Sequence, residues 1–197
     1  MNQTTQERII AQAIACIAQN SGASMDEIAK AAGVGRATLF RHFKSRAELM
    51  LAIKLNAGLK LQAAVGPVFD TQLPAREKLL KVITQLIPLG ASLNVSAYFD
   101  HPVRDQDPRV LAPYMDCMER TRQLCLDLKA EGDVHSDIPV SWLVASIDSL
   151  VFAAWEKVES GDIAPKQAPW LVLSTFLTGH GTGQTAAWFT QQKDVHQ

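Results

Sequence analysis

The chain has 197 residues, of which 47% are hydrophobic, and a formal net charge of −1. This length allows one domain or a small domain joined to a larger one, and the apolar fraction excludes wholesale disorder. The three cysteines, Cys16, Cys117 and Cys125, show no CxxC spacing, which argues against a disulfide framework and for the reducing cytoplasm. The start, MNQTTQERII, lacks an apolar signal core, and no window holds 18 uninterrupted apolar residues, so we expect no membrane segment.

Charge is distributed unevenly along the chain. Residues 1–47 hold six basic and three acidic side chains, a net of +3, and the other 150 hold 13 basic and 17 acidic, a net of −4. This asymmetry predicts a basic head on an acidic body.

Apolar residues recur at helical spacing along most of the chain, and no alternating strand pattern is long enough to trust. The fold class we predict is therefore all-α. The first helix spans about Thr5 to Gln19, and the fourth runs from about residue 46 to Val65, where Gly66-Pro67 is expected to stop it. Later helices are expected at about 75–90, 113–130, 140–159 and 166–180.

Two short helices precede the fourth. Ser24 and Glu27 have capping-box spacing, so a second helix is expected from about Met25 to Ala32, ended by Gly33 in the left-handed conformation. A third helix then has room only from Arg36 to about His42. Two helices this short, joined by a glycine turn, form a helix-turn-helix unit.

The third helix has an inner and an outer side. Leu39 and Phe43 are one turn apart and must face the small core, so Ala37 and Arg41 point away from it. Arg36, Arg41, Lys44 and Arg46 fall within eleven residues that contain no acid. A basic run is usually a solvated surface, but on a short helix aimed outward it favours the major groove of DNA, where arginine can contact guanine through two hydrogen bonds.

The run GVGRATLFRHFKSRAEL, with SMDEIAKAAG before it, resembles the N-terminal signature of the tetracycline-repressor (TetR) family of transcriptional regulators over roughly residues 7–50. The resemblance implies a DNA-binding domain at 1–50 and a helical effector-binding and dimerisation domain at 51–197. It also implies a homodimer, paired through its last two long helices, that binds a palindromic operator on double-stranded DNA. We interpret the chain as a ligand-responsive transcriptional regulator, and we favour a repressor over an activator.

The resemblance also assigns DNA contacts residue by residue. Phe40 stands where the family often has tyrosine, so one phosphate hydrogen bond is missing there, and Phe40 could equally be an aromatic at the edge of the core. Lys44 could equally be only solvated. The expected DNA-binding residues are Ser24, Gly35, Arg36, Ala37, Thr38, Phe40, Arg41, His42, Lys44 and Arg46.

The body is expected to hold a small hydrophobic or aromatic effector. For any single aromatic residue or methionine, ordinary core packing is favoured, so the prediction names a region and not a site. The region comprises Tyr98, Phe99, Met115, Met118, Trp142, Phe152 and Trp155. The dimer contact would use small and apolar residues of the last two long helices, although a monomer could bury them internally. These are Ala145, Ile147, Leu150, Val151, Ala154, Leu171, Leu173, Phe176 and Leu177.

No sequence motif for catalysis or nucleotide binding is present, so we predict no enzyme and no cofactor. The segment YFDHPVRDQD gathers Asp100, His101, Asp105 and Asp107, but a solvated loop with helix-capping aspartates is favoured over a metal site. Cys117 as a redox sensor has no support from its surroundings in the sequence. The rival interpretation is a helical small-molecule-binding protein or enzyme whose helix-turn-helix no longer binds DNA.

Overall fold

A computed structural model describes residues 4–99 and 107–192, with side chains over 4–96 and 107–185 and at 187 and 188. These residues form an all-α fold without strands, apart from one isolated bridge between Val134 and Gly181. The α-helices are α1 (Thr5–Gln19), α2 (Met25–Ala31), α3 (Arg36–His42), α4 (Arg46–Phe69), α5 (Ala75–Leu86), α6 (Gly90–Phe99), α7 (Pro108–Ala130), α8 (Val140–Glu159), α9 (Ala168–His180) and α10 (Gly183–Gln192).

Two of the expected helix ends are wrong, and both involve proline. α4 passes through Pro67 to Phe69, because a proline so close to a helix end removes only one hydrogen bond of the last turns. The helix expected over 75–90 ends at Leu86, and a 3-10 turn, Ile87–Leu89, follows. Pro88 fits this turn because its missing N–H has no partner to lose so near the start.

The start of α7 and two whole helices, α6 and α10, were not predicted. α7 begins at Pro108 instead of near residue 113 and carries Pro113 inside it. As the sequence favoured, Asp107 caps a helix: it pairs with the Arg109 guanidinium at 2.6 Å and accepts a hydrogen bond from the Arg109 N–H at 2.9 Å, and these contacts lower the pKa of this carboxyl to about 2. α6 and α10 escaped detection because neither shows a clear apolar stripe in sequence.

The chain divides into two compact units that do not follow the sequence order. The first unit holds Met1–Lys60 and Ala91–Ala112, and the second holds Leu61–Gly90 and Pro113–Gln197. In the first unit, buried side chains of α1 to α4 form one cluster, which also includes Val95 of α6. Ile9, Ile28 and Leu39 are fully buried there. The boundary near residue 50 stays a prediction.

In the second unit, α9 packs against α5, α8 and α10. A buried ion pair orders one end of it: Arg76 Nη1 of α5 lies 2.7 Å from Oδ1 of Asp133, whose side chain is fully buried. The Asp133 carbonyl accepts from the Thr185 hydroxyl of α10 at 2.6 Å. Asp133 itself lies in the segment that precedes α8. It therefore connects that segment both to the start of α5 and to α10.

One helical stretch, Ala75–Ser96, is long and apolar enough to cross a membrane by length and composition alone. Half of that window is buried inside the protein, as expected for helices that supply a core. The 3-10 turn at Ile87–Leu89 also interrupts its α-helical hydrogen bonding. The stretch is accordingly explained by internal packing.

Trp155 of α8 packs against the end of α5 and the first residue of α6. Its indole N–H donates to the Leu86 carbonyl at 3.1 Å, and the ring lies directly on Gly90. A Cβ added at Gly90 would come within 2.6 Å of the indole ring, far inside van der Waals contact. Only glycine fits at this position without moving a buried tryptophan.

Gly90→Ala is therefore expected to lower the free energy of unfolding by about 1–3 kcal/mol, the usual cost of overpacking a core. Urea denaturation measures it. Gly183→Ala is the control, because a Cβ there meets nothing within 4 Å, and its change should stay within about 0.5 kcal/mol. Equal stability of Gly90→Ala and the wild type would show that the Trp155 ring moves aside without an energetic cost.

Candidate nucleic-acid interface

The α2-turn-α3 unit is fixed by its own hydrogen bonds. The Ser24 hydroxyl accepts from the Glu27 N–H at 3.2 Å, and the Ser24 N–H donates to the Glu27 carboxylate at 2.7 Å, which confirms the capping box. The Ser24 N–H and the Ser24 hydroxyl, at 2.7 and 2.8 Å, both donate to the Glu27 carboxylate and lower its pKa. Gly33, with φ of +63°, makes the turn, and the Val34 N–H donates back to the Ala29 carbonyl at 3.0 Å.

The rotation of α3 follows from two buried side chains. Leu39 is 0% exposed and Phe43 is 2% exposed, as the sequence predicted. Arg36, Ala37 and Arg41 are all exposed on the other side. The helix therefore presents one small and two basic residues outward, within its seven residues.

The other expected DNA-binding residues surround this surface. Ser24, Gly35 and Lys44 are exposed, and Thr38, Phe40 and His42 are half-buried. Phe40 packs against the edge of the core cluster while keeping part of its ring accessible. Gly35 is the N-cap of α3 and supplies no side-chain cap, which leaves the start of the helix open to an approaching group.

Arg36 is held by two neighbours. Its guanidinium forms an ion pair with the Asp26 carboxylate of α2, and it lies over the Phe40 ring at 5.1 Å from the centroid. Both charged side chains remain more than half exposed. Asp26 was missed in the sequence because it lies ten residues away, on another helix, where spacing along one helix gives no signal.

Arg46 connects the start of α4 to the segment between α1 and α2. Its Nη2 donates to the Ser21 carbonyl at 2.8 Å, and its Nη1 donates to the Ala23 carbonyl. These acceptors lie 25 and 23 residues earlier in the chain. Arg46 thus stabilises the head by joining the start of α4 to the segment before α2.

A cleft of about 440 Å³ lies between α7 and α8 in the second unit. Met115 and Met118, both expected in the effector region, line it. The charged residues of its wall were not predicted from the sequence. Acidic and basic residues at helical spacing are common on any exposed helix, so their pattern gave no sign of a cleft. The lining is Met115, Met118, Glu119, Arg122, Ser141, Val144, Ala145 and Asp148.

The other candidates for the effector region lie elsewhere. Trp142 is 61% exposed and Phe152 is 37% exposed, and neither lines the cleft. Trp155 is buried on Gly90, and its ring meets the Phe152 ring edge-on at 5.0 Å. The side chains of Tyr98 and Phe99 fall outside the described residues.

The three thiols, and Asp107 of the acidic segment, lie within the described residues. Burial raises the pKa of the Cys117 thiol to about 11 and that of Cys125 to about 12, so both stay protonated at neutral pH. Within 4–99 and 107–192 no group of three metal-binding side chains comes together. Asp100, His101 and Asp105 lie outside the described residues, and Asp107 caps α7.

Arg46→Ala is expected to lower the free energy of unfolding by about 1–3 kcal/mol, because two carbonyls lose a charged donor. Arg46→Lys should recover only part of it, since an ammonium cannot reproduce the two-pronged geometry. Lys44→Ala, two residues away and exposed, is the control. Chemical denaturation monitored by circular dichroism checks this prediction. An Arg46→Ala protein as stable as Lys44→Ala would contradict the stabilising role of Arg46.

Comparisons with known proteins agree with this geometry. The model of bacterial regulatory proteins of the TetR family matches residues 9–53, from α1 into α4. The transcriptional repressor LfrR of Mycolicibacterium smegmatis is 25% identical over 159 residues, 81% of this chain and 82% of that one.

Solved structures extend the likeness to the whole fold. The LfrR crystal structure in complex with proflavine has a TM-score of 0.73 at 23% identity, and covers 90% of this chain and 97% of that one. The ketosteroid regulator KstR2 of Mycobacterium tuberculosis has a TM-score of 0.76 at 17% identity, covering 92% and 97%. The head of this chain, over residues 9–53, therefore matches bacterial regulatory proteins of the TetR family, and the chain as a whole has the fold of TetR-like transcriptional regulators.

Proposed function

We propose that the protein is a repressor that binds a palindromic operator as a homodimer and is released from it by a small aromatic or hydrophobic effector. The observation that carries the proposal is the outward face of α3, where Arg36 and Arg41 are exposed on a helix whose rotation Leu39 and Phe43 fix. The similarity to the repressor LfrR supports the sign of regulation.

On DNA, α3 enters the major groove and Arg41 reads a base edge. Ala37, beside it on the outer face, lets the helix approach closely. Lys44 and Ser24, exposed at the flanks, contact phosphates and set the position of the head without reading sequence. Such a role places the protein in the cytoplasm, where the DNA of a bacterium lies.

The dimer contact uses the exposed side of α8 and α9. Several residues that the sequence offered for it, among them Ile147, Val151 and Phe176, are buried within the chain. The exposed side of α8 instead carries Trp142 and Phe152, and Leu171 of α9 is 46% exposed. Exposed apolar side chains on two packed helices support pairing with a second copy.

Selection of binding sites from random duplex DNA tests the regulator and the dimer together. The expected result is an enriched palindrome with half-sites about 34–36 Å apart or a multiple of that spacing. Enrichment of single half-sites would overturn the dimer. An absence of binding even at low salt would overturn the DNA function and favour a helical small-molecule-binding protein.

With the selected operator, Arg41→Ala should lower affinity about 10- to 100-fold and lose preference at one position of each half-site. Lys44→Ala is the matched control. It should weaken all sequences alike and reduce the salt dependence of binding. Identical behaviour of the two variants would contradict the division between base and phosphate contacts.

The effector site we propose is the α7–α8 cleft. Met115 and Met118 offer an adaptable apolar surface, and Glu119 and Asp148 stand on its wall. The Arg122 guanidinium pairs with Glu119 at 3.2 Å. LfrR was crystallised with proflavine, a flat aromatic molecule, which supports an aromatic effector for its relative. An effector that binds more tightly to another conformation than to the DNA-binding conformation shifts the protein population toward that other conformation and so releases DNA.

Proflavine is the probe to use first, because its fluorescence reports binding directly. It should bind the protein and displace the operator, and Met118→Ala should weaken binding roughly fivefold through lost apolar contact. Leu59→Ala, another exposed apolar residue, on α4, is the control. Binding that leaves the operator complex intact, or that Met118→Ala does not change, would overturn this site.

A further inference from the structure

We infer that Asp26 is a positioning residue for DNA sequence recognition: with Phe40, it fixes the Arg36 guanidinium so that the remaining donors of Arg36 read a base edge. This inference rests on the proposed DNA-binding mode and adds a second sequence-reading arginine and its support. Arg36 is the first residue of α3. In helix-turn-helix proteins the first residues of the recognition helix reach the base edges.

Two contacts define the surroundings of the exposed Arg36 guanidinium. Asp26 takes one terminal nitrogen of the guanidinium, and the Phe40 ring lies 5.1 Å from the guanidinium carbon. A guanidinium carries five N–H donors, so one hydrogen bond to Asp26 leaves donors for a two-bond contact with guanine. The carboxylate and the ring thus restrict its position without using up its capacity.

The placement of a carboxylate here needs an explanation. An acid beside the DNA-facing surface repels phosphates and lowers affinity for every sequence. An exposed ion pair contributes little to stability, so folding alone is a weak reason for it. Fixing a flexible arginine before binding, in contrast, removes part of the conformational entropy cost of a specific contact. Asp26 therefore trades overall affinity for discrimination.

This trade distinguishes positioning from simple repulsion. If Asp26 only repels DNA, its neutralisation raises affinity for operator and random DNA by the same factor. If it positions Arg36, neutralisation raises affinity for random DNA but lowers the preference for the operator. The informative quantity is the ratio of the dissociation constants for random and operator DNA.

The experiment uses the full chain and the operator selected from random duplex, so failure of that selection is a failure of the proposed function and precedes this test. Asp26→Asn should lower the ratio about two- to fivefold, the size of one exposed ion pair. In an Arg36→Ala background the same change should leave the ratio unaltered. Repeated site selection should show that Asp26→Asn and Arg36→Ala lose preference at the same base pair.

Glu7→Gln is the matched control, because it removes one negative charge from the head while glutamine can keep the Thr4 capping box. It should leave the ratio unchanged. Arg36→Lys provides an independent variant: it keeps the charge but not the fork, so the ratio should fall while affinity for random DNA is retained. Thermal melting confirms that each variant is folded.

Three results would overturn the inference. The first is an Asp26→Asn protein with an unchanged or raised ratio. The second is an equal effect of that substitution in the Arg36→Ala background. The third is loss of preference at different base pairs in the two variants.

Discussion

The rotation of a single seven-residue helix governs the function of this molecule. Leu39 and Phe43 are buried one turn apart, so α3 can face the core in only one way. That choice aims Arg36 and Arg41 outward and leaves Ala37 between them. The glycine turn and the capping box on α2 hold the helix in this phase. A hydrophobic contact inside the head therefore decides which polar groups can meet DNA.

The four cations of the recognition region share a sign but differ in their surroundings. Arg46 uses its guanidinium to bond two backbone carbonyls, Arg36 is held by a carboxylate and a ring, and Lys44 and Arg41 extend toward solvent. Counting basic residues treats these as equal. Their surroundings show that one stabilises the head, one is exposed but restrained, and two are exposed. Charge at this surface is therefore both structural and functional.

The sequence predicted the head well because its signals are local. Capping residues, a left-handed glycine and two buried residues one turn apart act within a few positions, and α1 and α3 begin and end where expected. The ends of α4 and α5 were less predictable, because the effect of a proline depends on how near the helix end it stands. The Asp26–Arg36 pair joins two helices, and the cleft lies between α7 and α8, so no periodicity along a single helix reveals either of them.

Membership of the two units has a consequence for how this chain can be divided. Val95 of α6 belongs to the core cluster of the head, although it follows long after Lys60, where the first stretch of that unit ends. A fragment cut after Lys60 leaves out a residue that the head core is built around. The DNA-binding head is thus not a portable module: in a chimera between two regulators, a foreign head would have to bring its own counterpart of α6 or adapt to the one it finds.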